Sequence, residues 1–157
     1  MSSLSIRVQA KAYERRWAIL AVLCFGLLVI VLDNSILNVA LPTIQKDLNA
    51  TSSDLQWIVD SYTLVFAGLL LTAGALGDRF GRRGALQIGF ILFGIGSVAA
   101  AMSGSSGMLI GTRAFMGIGG ALIMPATLSI ITNVFPPEDR AKAIGIWAGT
   151  AGLGGAL

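Results

Sequence analysis

Long apolar runs separated by short polar segments set the pattern of this chain. The runs cover about residues 17–41, 55–76, 84–102, 108–134 and 143–157. None carries the polar face expected of a helix on the surface of a soluble bundle. About 20 apolar residues are needed to cross the roughly 30 Å of bilayer hydrocarbon. The first four runs reach that length, and the fifth has 15 residues before the chain stops at Leu157. The pattern predicts an all-α polytopic membrane protein with four complete transmembrane helices and a truncated fifth. Pro42 is expected to end the first span, and residues 42–54 to form a polar loop with Lys46, Asp47 and Asp54. Ser103, Gly104, Ser105, Ser106 and Gly107 read as a tight flexible turn. Pro125 is expected to kink the fourth span. Pro136 or Pro137 suits a first helical position, with Glu138 and Asp139 in the positive first turn.

Composition sharpens this reading. Charged residues make up 12% of the 157 positions and apolar residues 55%. A soluble domain is about a quarter charged, so too little polar surface remains to coat a globule in water. A net charge of +3 would fit a nucleic-acid partner. Placement excludes it, because nine of the eleven Lys and Arg fall in three clusters between apolar runs. Residues 1–16 hold Arg7, Lys11, Arg15 and Arg16; the 2–3 loop holds Arg79, Arg82 and Arg83; the 4–5 loop holds Arg140 and Lys142. The two opposite loops hold Lys46 alone. This asymmetry predicts a cytoplasmic N-terminus and a cytoplasmic 2–3 loop. Residues 1–16 then form a cytosolic lead-in rather than a signal peptide, since the following run is too long and no small-residue cleavage site closes it. Asn49-Ala50-Thr51 fits the N-glycosylation pattern, which carries meaning only in a eukaryotic host.

The chain has no histidine and one cysteine, Cys24. An internal disulfide is impossible and a His/Cys metal site is not expected. No phosphate-binding glycine loop is visible. Enzymatic chemistry and cofactors therefore have little raw material, and no metal ligand is assigned.

Three charges lie inside the spans: Asp33, Asp60 and Arg113. A charge at mid-membrane costs about 3 kcal/mol or more, so such groups face a cavity or one another. At 1.5 Å per residue, Asp33 lies roughly 12 Å from the outer end of its span, and Asp60 and Arg113 roughly 8 Å from theirs. All three fall in one band of the outer half, where a cluster of net charge −1 would favour a cation or a proton. Asp60 and Arg113 also have a plainer reading, in which each snorkels to the outer interface. If a cation and a proton compete for Asp33, one must leave before the other binds, which is the minimal physics of antiport.

Residues 74–86, GALGDRFGRRGAL, crowd one acid and three arginines among glycines. Arg82 and Arg83 serve the charge asymmetry. Asp78 opposes it, and is expected to accept backbone N–H groups at a neighbouring helix N-terminus. In the fifth run Gly145 and Gly149 form a small-xxx-small pattern, which predicts another helix packed closely there.

At these residues the chain resembles the major facilitator superfamily. GALGDRFGRR, residues 74–83, matches the family's 2–3 loop motif at every fixed position, namely Gly74, Leu76, Asp78, Arg79, Gly81, Arg82 and Arg83. Within the family, LDNSILNVALP at 32–42 and LQWIVDSYTLVFAG at 55–68 are similar to spans 1 and 2 of the fourteen-span drug:proton antiporters. RAFMGIGGA at 113–121 resembles their span 4 motif, with Met116 where Gln is usual. FPPEDRAKAIGIWAG at 135–149 resembles their 4–5 loop and the start of span 5.

The resemblance implies part of the N-terminal half of a transporter fold built from inverted three-helix repeats. It implies that Asp33 and Arg113 couple protons, that Asp60 helps receive a cationic or lipophilic drug, and that Asp78 and Arg79 belong to a gating network. The expected function is proton-driven drug efflux across the bacterial inner membrane, powered by the proton gradient, with this chain a fragment that needs the missing remainder for activity. The alternatives are a transporter of another small solute, such as an amino acid or siderophore, and a non-transporting membrane subunit.

Overall fold

The computed structural model describes residues 13–153. Most of the expected lead-in, with Arg7 and Lys11, and the last four residues of the fifth run lie outside the described residues. Among the described residues the chain forms five helices: α1 (Arg16–Asp47), α2 (Ser52–Phe80), α3 (Arg82–Ala101), α4 (Ser106–Val134) and α5 (Pro137–Leu153). The first four are long and apolar enough to cross a membrane.

Local chemistry explains most of the helix ends. α1 does not stop at Pro42 as the sequence predicts; it continues five residues further, to Asp47. Proline removes one backbone donor but keeps a helical φ, so a long apolar helix absorbs it at the loss of one hydrogen bond. The extension places Lys46 in the last turn, where the helix dipole favours a cation. Asn49 then takes a left-handed φ of 49°. The Ala50 N–H reaches back to the Gln45 carbonyl at 3.1 Å, closing a Schellman turn.

Two residues later Thr51 caps α2. Its Oγ accepts the Asp54 N–H at 3.2 Å, and an Asp54 carboxylate oxygen accepts the Thr51 N–H at 2.9 Å. This is a reciprocal capping box. Asn49 and Thr51, the polar residues of the glycosylation pattern, thus have structural duties at the helix ends. α4 starts within the Ser103–Gly107 turn, where the Ser105 hydroxyl accepts the Met108 N–H at 3.3 Å. α5 opens at Pro137 with Glu138 and Asp139 in its first turn.

The chain divides into two compact units. One comprises residues up to Ser35 and from Thr127 onward. Its core contains Leu20, Leu23, Leu27 and Ile30 from α1, Ile131 from α4, Phe135, and Ala143 from α5. The Trp147 indole N–H donates to the buried Thr127 hydroxyl at 3.2 Å, so neither polar group is left bare in an apolar core. At its edge Trp17 meets Phe135 edge-on, with ring centroids 5.2 Å apart.

The other unit covers residues 36–126. Its packing depends on glycines. α3 turns Gly89, Phe93 and Gly96 inward. Its opposite face presents Ile88, Ile91, Ile95 and Val98 to the outside. Small residues inside and large aliphatic ones outside invert the order of a soluble helix, and the order suits lipid as the surrounding solvent. On α4, a Cβ at Gly119 would stand 2.8 Å from the Gly89 carbonyl oxygen, and one at Gly117 would stand 2.7 Å from the Tyr62 carbonyl oxygen. Backbone meets backbone on both sides of α4, a closeness that only glycine permits.

Candidate functional site

The polar side chains that the sequence singles out lie on three stretches of the chain, each described by itself. On α1, in the first unit, Asp33 is half-buried. The next two residues turn their polar atoms back on the helix. The Asn34 amide donates to the Ile30 carbonyl at 3.0 Å and the Ser35 hydroxyl to the Val31 carbonyl at 3.2 Å. Such i−4 bonds satisfy polar groups where water is scarce.

The second place lies between α2 and α4, in the second unit. Arg113 is only 2% exposed, so it does not snorkel outward from the unit. Its guanidinium carbon sits 4.6 Å from the centroid of the Tyr62 ring. Nη1 lies 4.0 Å from the Met116 sulfur, a weak acceptor one turn along α4. Ser61, also buried, donates its hydroxyl to the Ile110 carbonyl at 3.2 Å and ties α2 to α4 one turn before Arg113. The Tyr62 ring stacks on Phe66 at 5.9 Å with planes 9° apart. Met116 is fully buried and fills the space left by Gly96, where a Cβ would come within 2.5 Å of the Met116 Cγ.

Asp60 is exposed, two residues before Tyr62. At 3.6 residues per turn, two positions are about 200° apart. α2 therefore points Asp60 away from the face that receives Arg113. Equal depth along the helices does not bring these two together, because depth carries no information on rotation.

The third place is the connection between α2 and α3, which is one residue long. Gly81 makes it with φ +104° and ψ 128°, a backbone conformation that side chains other than glycine rarely adopt. Asp78 and Arg79 close α2, and Arg82 and Arg83 open α3. Asp78 does not show the expected bond to a helix N-terminus. Its carboxylate pairs with Arg82, four residues on and across the Gly81 break. Asp78 remains 66% exposed at its side chain, and the Arg79 guanidinium carbon stands 5.5 Å from the Phe80 ring. Gly74 approaches Pro125 on α4, where a Cβ would lie 3.8 Å from the proline Cβ. α4 runs through Pro125 as one helix. On α5, Gly145 and Gly149 are exposed, and no described residue comes within 4 Å of a Cβ built at either.

Two further groupings leave no local pattern in the sequence. One is the Tyr62 ring under Arg113. An aromatic residue in a span has no distinctive spacing, and the run of Gly117, Gly119 and Gly120 is the one pattern that hints at something large seated against α4. The other is at the start of α1. Arg16 pairs with Asp139 at 3.3 Å, and the Lys142 amine lies 5.4 Å from the Trp17 ring. Arg16 belongs to the cluster that sets the charge asymmetry, and a partner 123 positions away is invisible to local patterns.

A family profile described as Major Facilitator Superfamily matches residues 23–157. The chain is 46% identical over 144 residues to the multidrug efflux pump LfrA of Mycolicibacterium smegmatis, covering 91% of this chain and 29% of that protein. It is 38% identical over 141 residues to the riboflavin transporter RibZ of Clostridioides difficile, covering 90% and 31%. It also superposes with a TM-score of 0.77 and 28% identity on a crystal structure of a bacterial homolog of the human lysosomal transporter Spinster, in an inward-facing and occupied conformation, covering 89% of this chain and 30% of that one. The chain thus spans about a third of the length of the relatives it matches. A profile match over most of the chain, four apolar helices of membrane-crossing length and a shared helical fold lead to one statement: this chain is a multi-pass membrane protein that belongs to the Major Facilitator Superfamily.

Proposed function

We propose that the chain is the N-terminal part of a proton-coupled exporter of cationic or lipophilic drugs in the bacterial inner membrane, with its N-terminus in the cytoplasm. The observation that carries the reading is Arg113, a guanidinium held inside apolar helices. A permanent charge in that setting is costly and is retained for moving ions or substrates. Asp33 and Arg113 handle the proton, and the proton gradient supplies the energy without any bound cofactor. Asp60 receives positively charged substrate. Asp78 and Arg79 act in gating. The remaining two thirds of a transporter of the relatives' length are needed for transport.

The similarity to a multidrug efflux pump supports a drug as substrate. The similarity to a riboflavin transporter supports a second reading, a carrier of another small solute through the same fold. A transport assay on the full-length protein in proteoliposomes separates them. With Asp60→Ala, export of divalent cations falls more than export of monovalent ones. Equal loss for both removes Asp60 from the substrate path. With Asp33→Asn, proton-driven efflux is lost; unchanged efflux removes Asp33 from the coupling, and no efflux from the unmodified full-length protein favours a non-transporting subunit.

A further inference from the structure

We infer that Tyr62 is the positioning residue for Arg113, holding its guanidinium in place through the face of the ring; this deepens the proton-coupling role proposed above and rests on it. The ring is held at several points. Its hydroxyl lies against Gly120, 2.7 Å from where a Cβ would stand, and the Tyr62 backbone carbonyl lies equally close to Gly117. The ring stacks on Phe66. The neighbouring Ser61 is tied to the α4 backbone. Tyr62 is buried, 6% exposed. Against this ring sits the Arg113 guanidinium, 4.6 Å from the ring centroid.

The chemistry suits the task. An aromatic face attracts a cation through its quadrupole, and the attraction is largest where water is excluded. Tyr62 thus offers a way to hold a buried cation at one spot. Gly120 acquires a reason as well, since a side chain there would displace the ring.

The test uses the full-length transporter in proteoliposomes, with phenylalanine and then mono-, di- and trifluorophenylalanine installed at position 62. The series keeps the ring's shape, so the fold is retained, while each fluorine weakens the face. The readouts are solvent exchange of the Arg113 guanidinium N–H groups by NMR and the pH of half-maximal efflux. We expect exchange to quicken stepwise, by about tenfold across the series, and the pH midpoint to move in step. Exchange that stays flat overturns the inference. Exchange that quickens while the pH midpoint stays fixed overturns the positioning role. If the unmodified protein shows no proton-linked efflux, the proposed function fails, and the exchange series still decides whether the ring holds Arg113.

Discussion

Gly119 on α4 and Gly89 on α3 bring two helix backbones into contact: a Cβ at Gly119 would stand 2.8 Å from the Gly89 carbonyl oxygen and 2.8 Å from the Phe93 nitrogen. Neither neighbour is a flexible side-chain tip, so the helices must separate to admit a methyl group. Gly119→Ala should therefore destabilise the protein by about 1–3 kcal/mol, the usual cost of overpacking. Gly94 on α3 has open space around it. Gly94→Ala should be neutral or stabilising by up to about 1 kcal/mol, since alanine is the better helix former. Thermal unfolding of both variants in detergent or nanodiscs checks the contrast, and equal midpoints would refute the packing.

The capping box at the start of α2 makes a separate claim. Thr51→Ala removes the hydroxyl that accepts the Asp54 N–H and should cost about 1 kcal/mol. Thr51→Ser keeps an oxygen in place and should cost little. Amide exchange at residues 52–55 reads the effect locally: it should rise in the alanine variant and stay near the parent rate in the serine variant. Equal exchange in both would show that the box contributes nothing in the membrane protein.

Much of this was legible beforehand, for definite reasons. Apolar runs of sufficient length mark membrane-crossing helices, and residues such as Pro137, Glu138 and Asp139 mark a helix start by their own chemistry. What stayed hidden depends on rotation and on distant partners. Pro42 reads as a stop because proline usually is one, yet the helix loses only one hydrogen bond there. Asp60 and Arg113 share a depth but not a direction, and two residues of offset turn Asp60 away from the face under Arg113. The Gly145–Gly149 spacing drew attention by its regularity, whereas the glycines in tight contact are Gly89, Gly96, Gly117, Gly119 and Gly120. A small-residue pattern shows that close approach is possible, and the position of the partner helix decides where it occurs.

At the start of α1 two interactions compete for importance. The Arg16–Asp139 pair is partly exposed, with side chains 20% and 33% accessible. Such pairs contribute about 0–1 kcal/mol. Trp17 packs edge-on against the buried Phe135 and lies under Lys142. An aromatic pair of this kind is worth about 0.5–1.5 kcal/mol beyond its buried area. Trp17→Ala should thus lower the unfolding midpoint more than Asp139→Asn. An Arg16/Asp139 double-mutant cycle should give a coupling under about 1 kcal/mol. A larger coupling, or a greater loss from Asp139→Asn, would make the ion pair the stronger link.

The Asp78–Arg82 pair gives a way to separate gating from stability. It is an i,i+4 pair on an exposed turn, and such pairs contribute about 0.2–0.5 kcal/mol. Asp78→Asn should therefore leave the unfolding midpoint nearly unchanged. If the connection works as a gate, the same variant in the full-length transporter should lose most of its efflux, a loss too large for the small stability change to cause. Arg82→Asp combined with Asp78→Arg restores the pair with its signs exchanged. Recovery of efflux in that double variant would mean that the pair itself is what matters. Continued loss would mean that Asp78 needs a different partner in another conformation of the transport cycle, and full efflux in Asp78→Asn would remove the residue from gating altogether.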